Sequence, residues 1–144
     1  KNFSKRVVKT PKLYFYDTGL LAYLLKIKTR EMLVTHPVKG ALFENMMIAE
    51  FHKQMHHRYR DESPWFWRDN HGNEVDLLVD QGINLDAYEI KASETILTEN
   101  FNGLAKFEQI ATSPLRIKGL IYAGDLNQKR SAGQVISWRD FPGF

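Results

Sequence analysis

Four residues carry most of the chemical potential of this chain: Asp76, Glu89, Lys91 and Glu44. Glu89 and Lys91 stand two apart in residues 85–92 (LDAYEIKA). On a strand they project from one face, together with Leu85 and Ala87, while Tyr88 and Ile90 take the other. Asp76 lies in the preceding run, residues 74–80 (EVDLLVD), and the short turn at Gln81-Gly82 makes the two runs antiparallel neighbours. Neighbouring strands lie about 5 Å apart, so Asp76 pointing to the same side brings two carboxylates together. Glu44 is the third acid. It falls on the helical stripe 44, 47, 48, 51 and 55, whose other members are Met47, Ile48, Phe51 and Met55. That stripe faces the core.

Such a set suits phosphodiester hydrolysis, which needs the developing negative charge shielded and hydroxide made from water. Magnesium takes hard oxygen ligands in an octahedral shell and keeps several waters. Two carboxylates and one backbone carbonyl leave positions for water and phosphate. A lysine beside them orients or deprotonates the water, or holds a phosphate oxygen. Each piece also has an ordinary explanation. An E-x-K on a strand is a common solvated ion-pair face, and Glu44 fits an acid favoured near a helix start. The order of the pieces tips the balance: an inward helical Glu, a strand Asp, a strand E-x-K, then a helix.

The elements needed to position these residues are legible in outline. Residues 12–16 (KLYFY) read as a short strand, and Asp17 or Thr18 caps a helix over 19–26. Residues 35–39, with Pro37, read as a loop, and 41–57 as a long helix. Strands follow at 65–68, 74–80 and 85–92, then a helix over 99–111 stopped by Pro114. A strand at 117–123, a loop at 124–133 and a last strand at 134–138 complete the order. The first three strands form an antiparallel meander. The third and fourth, joined through a helix, pair in parallel with a right-handed crossover. The expected class is α/β, a mixed sheet flanked by helices.

Composition narrows the function classes. The 144 residues are 43% hydrophobic and 26% charged, which is ordinary for a globular domain. With no cysteine, a disulfide scaffold, a thiolate zinc site and a cysteine nucleophile are excluded. No apolar run approaches membrane-spanning length, and no signal-peptide pattern opens the chain. A cytoplasmic location and no membrane partner are expected. Residues 1–30 hold eight Lys/Arg and one acid (+7); the rest hold 12 basic and 16 acidic residues (−4), giving the overall +3. A basic segment beside a mildly acidic body suits a polyanion partner. The chain begins at Lys1 rather than Met, so a fragment of a longer protein is expected. Assembly state is left open.

Other groups carry weaker signals. His52 and His56, spaced i, i+4 with His57 adjacent, lack an H-E-x-x-H pattern and a third zinc ligand. Trp65, Phe66 and Trp67 are read as packing rather than base-stacking residues. Lys118, Lys129, Arg130 and Arg139 are candidate phosphate contacts, and Lys106 and Gln109 candidate polar helpers on the helix after EIK.

The motifs FEN (43–45), EVD (74–76) and EIK (89–91) resemble those of the PD-(D/E)xK nuclease superfamily, with Val75 where the superfamily name has proline. The resemblance implies a restriction-endonuclease-like αβββαβ core. The flanks KLYFYDTGLLAYLL (12–25), GALFENMMIAEF (40–51), WRDNHGNEVD (67–76) and EIKAS (89–93) resemble a bacterial and archaeal family of unknown function, the C-terminal domain of AAA-type ATPases. It implies an upstream ATPase that binds ATP, a basic linker over 1–39, and a nuclease-like domain over 40–144. It further implies Mg²⁺ or Mn²⁺ held by Asp76, Glu89 and the backbone carbonyl of Ile90, with Lys91 assisting the water. Glu44 would be a supporting or second-metal acid, and the substrate nucleic acid, DNA before RNA. No G-x-x-x-x-G-K-[ST] occurs in these residues, so ATP binding belongs upstream. The alternative is a non-catalytic binding module of the same fold, regulated by the ATPase; a structural dimerisation domain is a third reading.

Overall fold

A computed structural model describes residues 11–59 and 64–141. The first ten residues of the basic linker lie outside the described residues. Three helices come first: α1 (Thr18–Leu24), α2 (Arg30–Thr35) and α3 (Lys39–His57). Then come β1 (Trp65–Arg68), β2 (Glu74–Asp80) and β3 (Leu85–Lys91), a 3-10 turn (Thr98–Phe101) running into α4 (Asn102–Ile110), and β4 (Leu115–Tyr122), β5 (Gln128–Arg130) and β6 (Gly133–Ser137). The six strands form one mixed sheet in the order β1-β2-β3-β4-β6-β5. β1, β2 and β3 are antiparallel, and β3 pairs β4 in parallel through α4, as the order of elements leads one to expect.

Each face of the sheet is covered because strand residues alternate between two helices. Leu77, Val79, Tyr88, Ile90 and Ile121 pack on the α3 side with Met47, Ile48, Phe51 and Met55. Val75, Leu78, Leu85, Ala87 and Leu120 pack on the α4 side with Phe101, Leu104 and Phe107. No helix among the described residues is long and apolar enough to cross a membrane.

Two local expectations are corrected, and one segment without an expectation is helical. Residues 12–16 form no strand. The Phe15 backbone instead closes onto the α3 side chain Asn45, which accepts the Phe15 N–H at 2.7 Å and donates to the Phe15 carbonyl at 2.9 Å. A side-chain amide thus replaces a ladder partner. Residues 36–38 are the loop expected around Pro37, while the unassigned residues before it form helix α2, capped by Thr29 accepting the Met32 N–H at 3.3 Å. The supposed loop 124–133 contains β5, whose Lys129 pairs in register with Gln134 of β6.

Candidate functional site

The site is built where β2 and β3 part. Their ladder runs from Asp80↔Leu85 to Leu77↔Tyr88. Beyond it, the Asp76 side chain takes over: its Oδ2 accepts the Ile90 N–H at 2.8 Å. A bulge in β2 aids this. Two steps on β1 (Trp65 to Trp67) face three on β2 (Leu78 to Val75). The extra residue breaks the alternation: Val75 and Leu78 pack on the α4 side, Leu77 and Val79 on the α3 side. Bulges re-aim side chains in this way, and Asp76 lies within this one. The turn before β2 is fixed by Asp69, which accepts the N–H groups of His71 (2.8 Å) and Asn73 (2.9 Å), with Gly72 at φ +83°. That turn sets Glu74 at the head of β2.

Glu44, Asp76, Glu89, Ile90 and Lys91 line one hollow of about 400 Å³, with Asn102 and Gly103 of α4 on its wall. Within it the acids fall into two groups. Glu44, Glu74 and Asp76 place carboxylate oxygens within 4.8 Å of one another. Glu89 pairs with Lys91 at 2.5 Å through Oε1, while its Oε2 is buried without a hydrogen-bond partner. Glu89 faces α4, as strand alternation requires; its Oε2 lies 3.3 Å from where a Cβ on Gly103 would stand.

Glu74 and Lys12 are the residues that sequence reasoning passed over. The Lys12 ammonium donates to Glu44 Oε1 at 2.9 Å and to Asp76 Oδ1 at 3.2 Å, and pairs with Glu74. It also lies 5.3 Å from the Phe66 ring centre. Tyr14 donates its hydroxyl to Glu44 at 2.6 Å. Arg68 meets the other oxygen of Glu74 at 3.1 Å.

Burial dominates the electrostatics. It pushes the Asp76 carboxyl up to about 6, helped by the Glu44 charge and opposed by Lys12 and the Ile90 N–H. Burial, then the Asp76 charge, push Glu89 up to about 7, against Lys91. Burial acts to lower both lysines, but their acid partners outweigh it and both amines are held above their ordinary value. Tyr14 is also raised, by burial and by its bond to Glu44.

The remaining candidates lie elsewhere. Lys106 and Gln109 are exposed on α4 and do not line the hollow, because the first turn of that helix, not its middle, reaches the site. Lys118 pairs with Glu108 at 2.8 Å, and Arg139 with Asp125 at 2.8 Å. Lys129 borders a separate depression of about 540 Å³ at β5 and β6, whose lining has Asp140 as its only acid. Arg130 is exposed and bonds Gln128. His52 and His56 stack edgewise near Tyr16 and join no metal-spaced group among the described residues; His57 is exposed. Trp67 packs on Phe107 at 5.5 Å, whereas Trp65 is 54% exposed.

Fold and site together define a mixed α/β domain with an acid-lined hollow at a strand fork. Residues 39–141 match the model of the family described as "Domain of unknown function (DUF4143)", and the chain belongs to that family. Residues 1–31 match a second such model, DUF8612. Among curated proteins, the uncharacterized protein Mb2031c of Mycobacterium bovis is 33% identical over 94 residues, covering 65% of this chain and 20% of its own length. The uncharacterized protein Rv2008c of Mycobacterium tuberculosis matches with the same figures. The chain therefore spans about one fifth of the length of these relatives. No solved structure matches it.

Proposed function

We propose that this chain is a metal-dependent nuclease domain of the PD-(D/E)xK type, with a restriction-endonuclease-like core, carried by a longer protein with an upstream AAA-type ATPase. Its substrate is nucleic acid, DNA before RNA. The observation that carries the reading is the Glu89 Oε2: a buried acid oxygen without a hydrogen-bond partner, facing a hollow that Asp76 also lines. Buried polar atoms are rarely left so, and a hard cation is the partner that such oxygens fit.

Asp76, Glu89 and the Ile90 carbonyl would hold Mg²⁺ or Mn²⁺, with Glu44 supporting. When bound, the ion supplies positive charge to the phosphate and acidifies a water. The protein's own part is positional. The Ile90 N–H fixes the Asp76 carboxylate. Lys91 keeps its proton beside Glu89, so it orients the water or binds a phosphate oxygen rather than removing a proton.

The test is plasmid nicking with Mg²⁺ or Mn²⁺. Loss of at least about 100-fold activity in Asp76→Ala is expected, since even the partners behind a metal ligand commonly cost about 10–100-fold. Equal nicking by both proteins defeats the assignment. A second reading, a binding module without catalysis, draws support from the Lys12 ammonium already seated among the acids. Specific nucleic-acid binding without cleavage would favour it.

A further inference from the structure

The acids of the hollow already have a cation, and it is covalently part of the chain. Lys12 contacts Glu44 and Asp76 and pairs with Glu74, the same three residues whose oxygens lie at metal-bridging distances. A divalent ion needs oxygens about 2.0–2.6 Å away. Asp76 belongs both to this cluster and to the ligand set proposed above, so a divalent ion on its carboxylate competes with the ammonium 3.2 Å from Oδ1, and the two like charges repel.

Residues 11–17 deliver this ammonium as a strap with its own fastening. Asn45 clasps the Phe15 backbone through both the oxygen and the nitrogen of its side-chain amide and also donates to Thr18 Oγ1 at 3.1 Å. Tyr14 adds its bond to Glu44. The strap is therefore held partly by α3, so Lys12 can leave the acids while Phe15 stays clasped. In the same hollow, the unpartnered Glu89 Oε2 is an independent sign that the site takes a ligand.

We propose that Lys12 is a built-in counter-ion that closes the acid site, and that a divalent cation enters by displacing it. Residues 11–17 are then an autoinhibitory strap, and release of Lys12 from the acids governs metal loading. The inference rests on the divalent-ion reading given above.

Mn²⁺ calorimetry on the 144-residue chain tests it, using wild type, Lys12→Met and Lys12→Arg, each checked by thermal melting. At least tenfold tighter Mn²⁺ binding is expected for Lys12→Met, with Lys12→Arg at or below the wild-type affinity. A second measurement uses wild type alone: amine acetylation read by mass spectrometry. Mn²⁺ should raise the reactivity of Lys12 several-fold while distant lysines stay unchanged. Equal affinities together with an unchanged Lys12 reactivity overturn the strap and leave the metal site standing. No Mn²⁺ binding by either wild type or Lys12→Met overturns both.

Discussion

At the scale of single residues, the site is a contest between burial and charge. Asp76 and Glu89 both titrate above their ordinary values of 3.8 and 4.5, to about 6 and about 7. A raised carboxyl favours the protonated folded state, so its stabilising effect is full at low pH and lost as pH climbs through the folded value. Replacing Glu89 with Gln removes that dependence. Glu89→Gln should therefore gain stability over wild type at pH 8 and lose that advantage at pH 5, measured by urea melts at both. Metal binding needs the ionised acids and runs the other way. Wild-type Mn²⁺ affinity should rise steeply between pH 5.5 and 7.5, with protons released in calorimetry; a flat profile would remove these carboxyls from the site. At this scale the sequence announced Glu44, Asp76, Glu89 and Lys91, because motif spacing ties them to named faces. Lys12 was hidden, since its acid partners stand 32 and 64 residues away and no periodicity links them. Glu74 sat inside the EVD motif and strand alternation sets it on the face of Asp76, but its partners Lys12 and Arg68 lie elsewhere in the chain.

Elements were legible where a hydrophobic period ran long enough. The stripe of α3 and the apolar runs of β2 and β3 announce a buried helix face and central strands. The six residues of α2 and the three of β5 are too short for any period to register, and β5 is wholly exposed. KLYFY has strand-forming residues, yet a side chain from α3 meets its backbone instead of a neighbouring strand. Tertiary partners, not propensity, decided that segment. The approach of α4 to the site was equally unreadable, and it depends on one glycine. A Cβ on Gly103 would stand 2.0 Å from the Glu74 carbonyl oxygen, which is backbone and cannot swing aside. Alanine improves helix propensity by about 1 kcal/mol at best, whereas overpacking typically costs about 1–3 kcal/mol. Gly103→Ala should thus be destabilising by about 1–2 kcal/mol net, read as a lower urea midpoint. A midpoint equal to or above wild type would mean that α4 sits further from β2 than described.

For the whole molecule, the sheet is a wall between two apolar clusters, and the site opens where that wall forks. Rigidity of the fork therefore depends on the packing of both faces. On the α3 face, the last described residue, Phe141, closes the cluster: its ring stacks on Phe51 at 6.5 Å and meets Tyr88 edge-on at 5.3 Å. Tyr88 is the last β3 residue paired with β2 before the fork, so Phe141 reaches the site through one intermediate side chain. Truncating a buried Phe to Ala commonly costs about 3–5 kcal/mol, against a total stability of about 5–15 kcal/mol for a domain. Because Phe141 is 7% exposed, part of its ring already meets solvent, which favours the lower end of that cost. Phe141→Ala should lower stability by about 3 kcal/mol with an unchanged urea slope. Mn²⁺ affinity should be preserved well below the melting transition, since no ligand is touched. A loss of affinity in the folded state would instead show that packing on this face sets the spacing of Asp76 and Glu89.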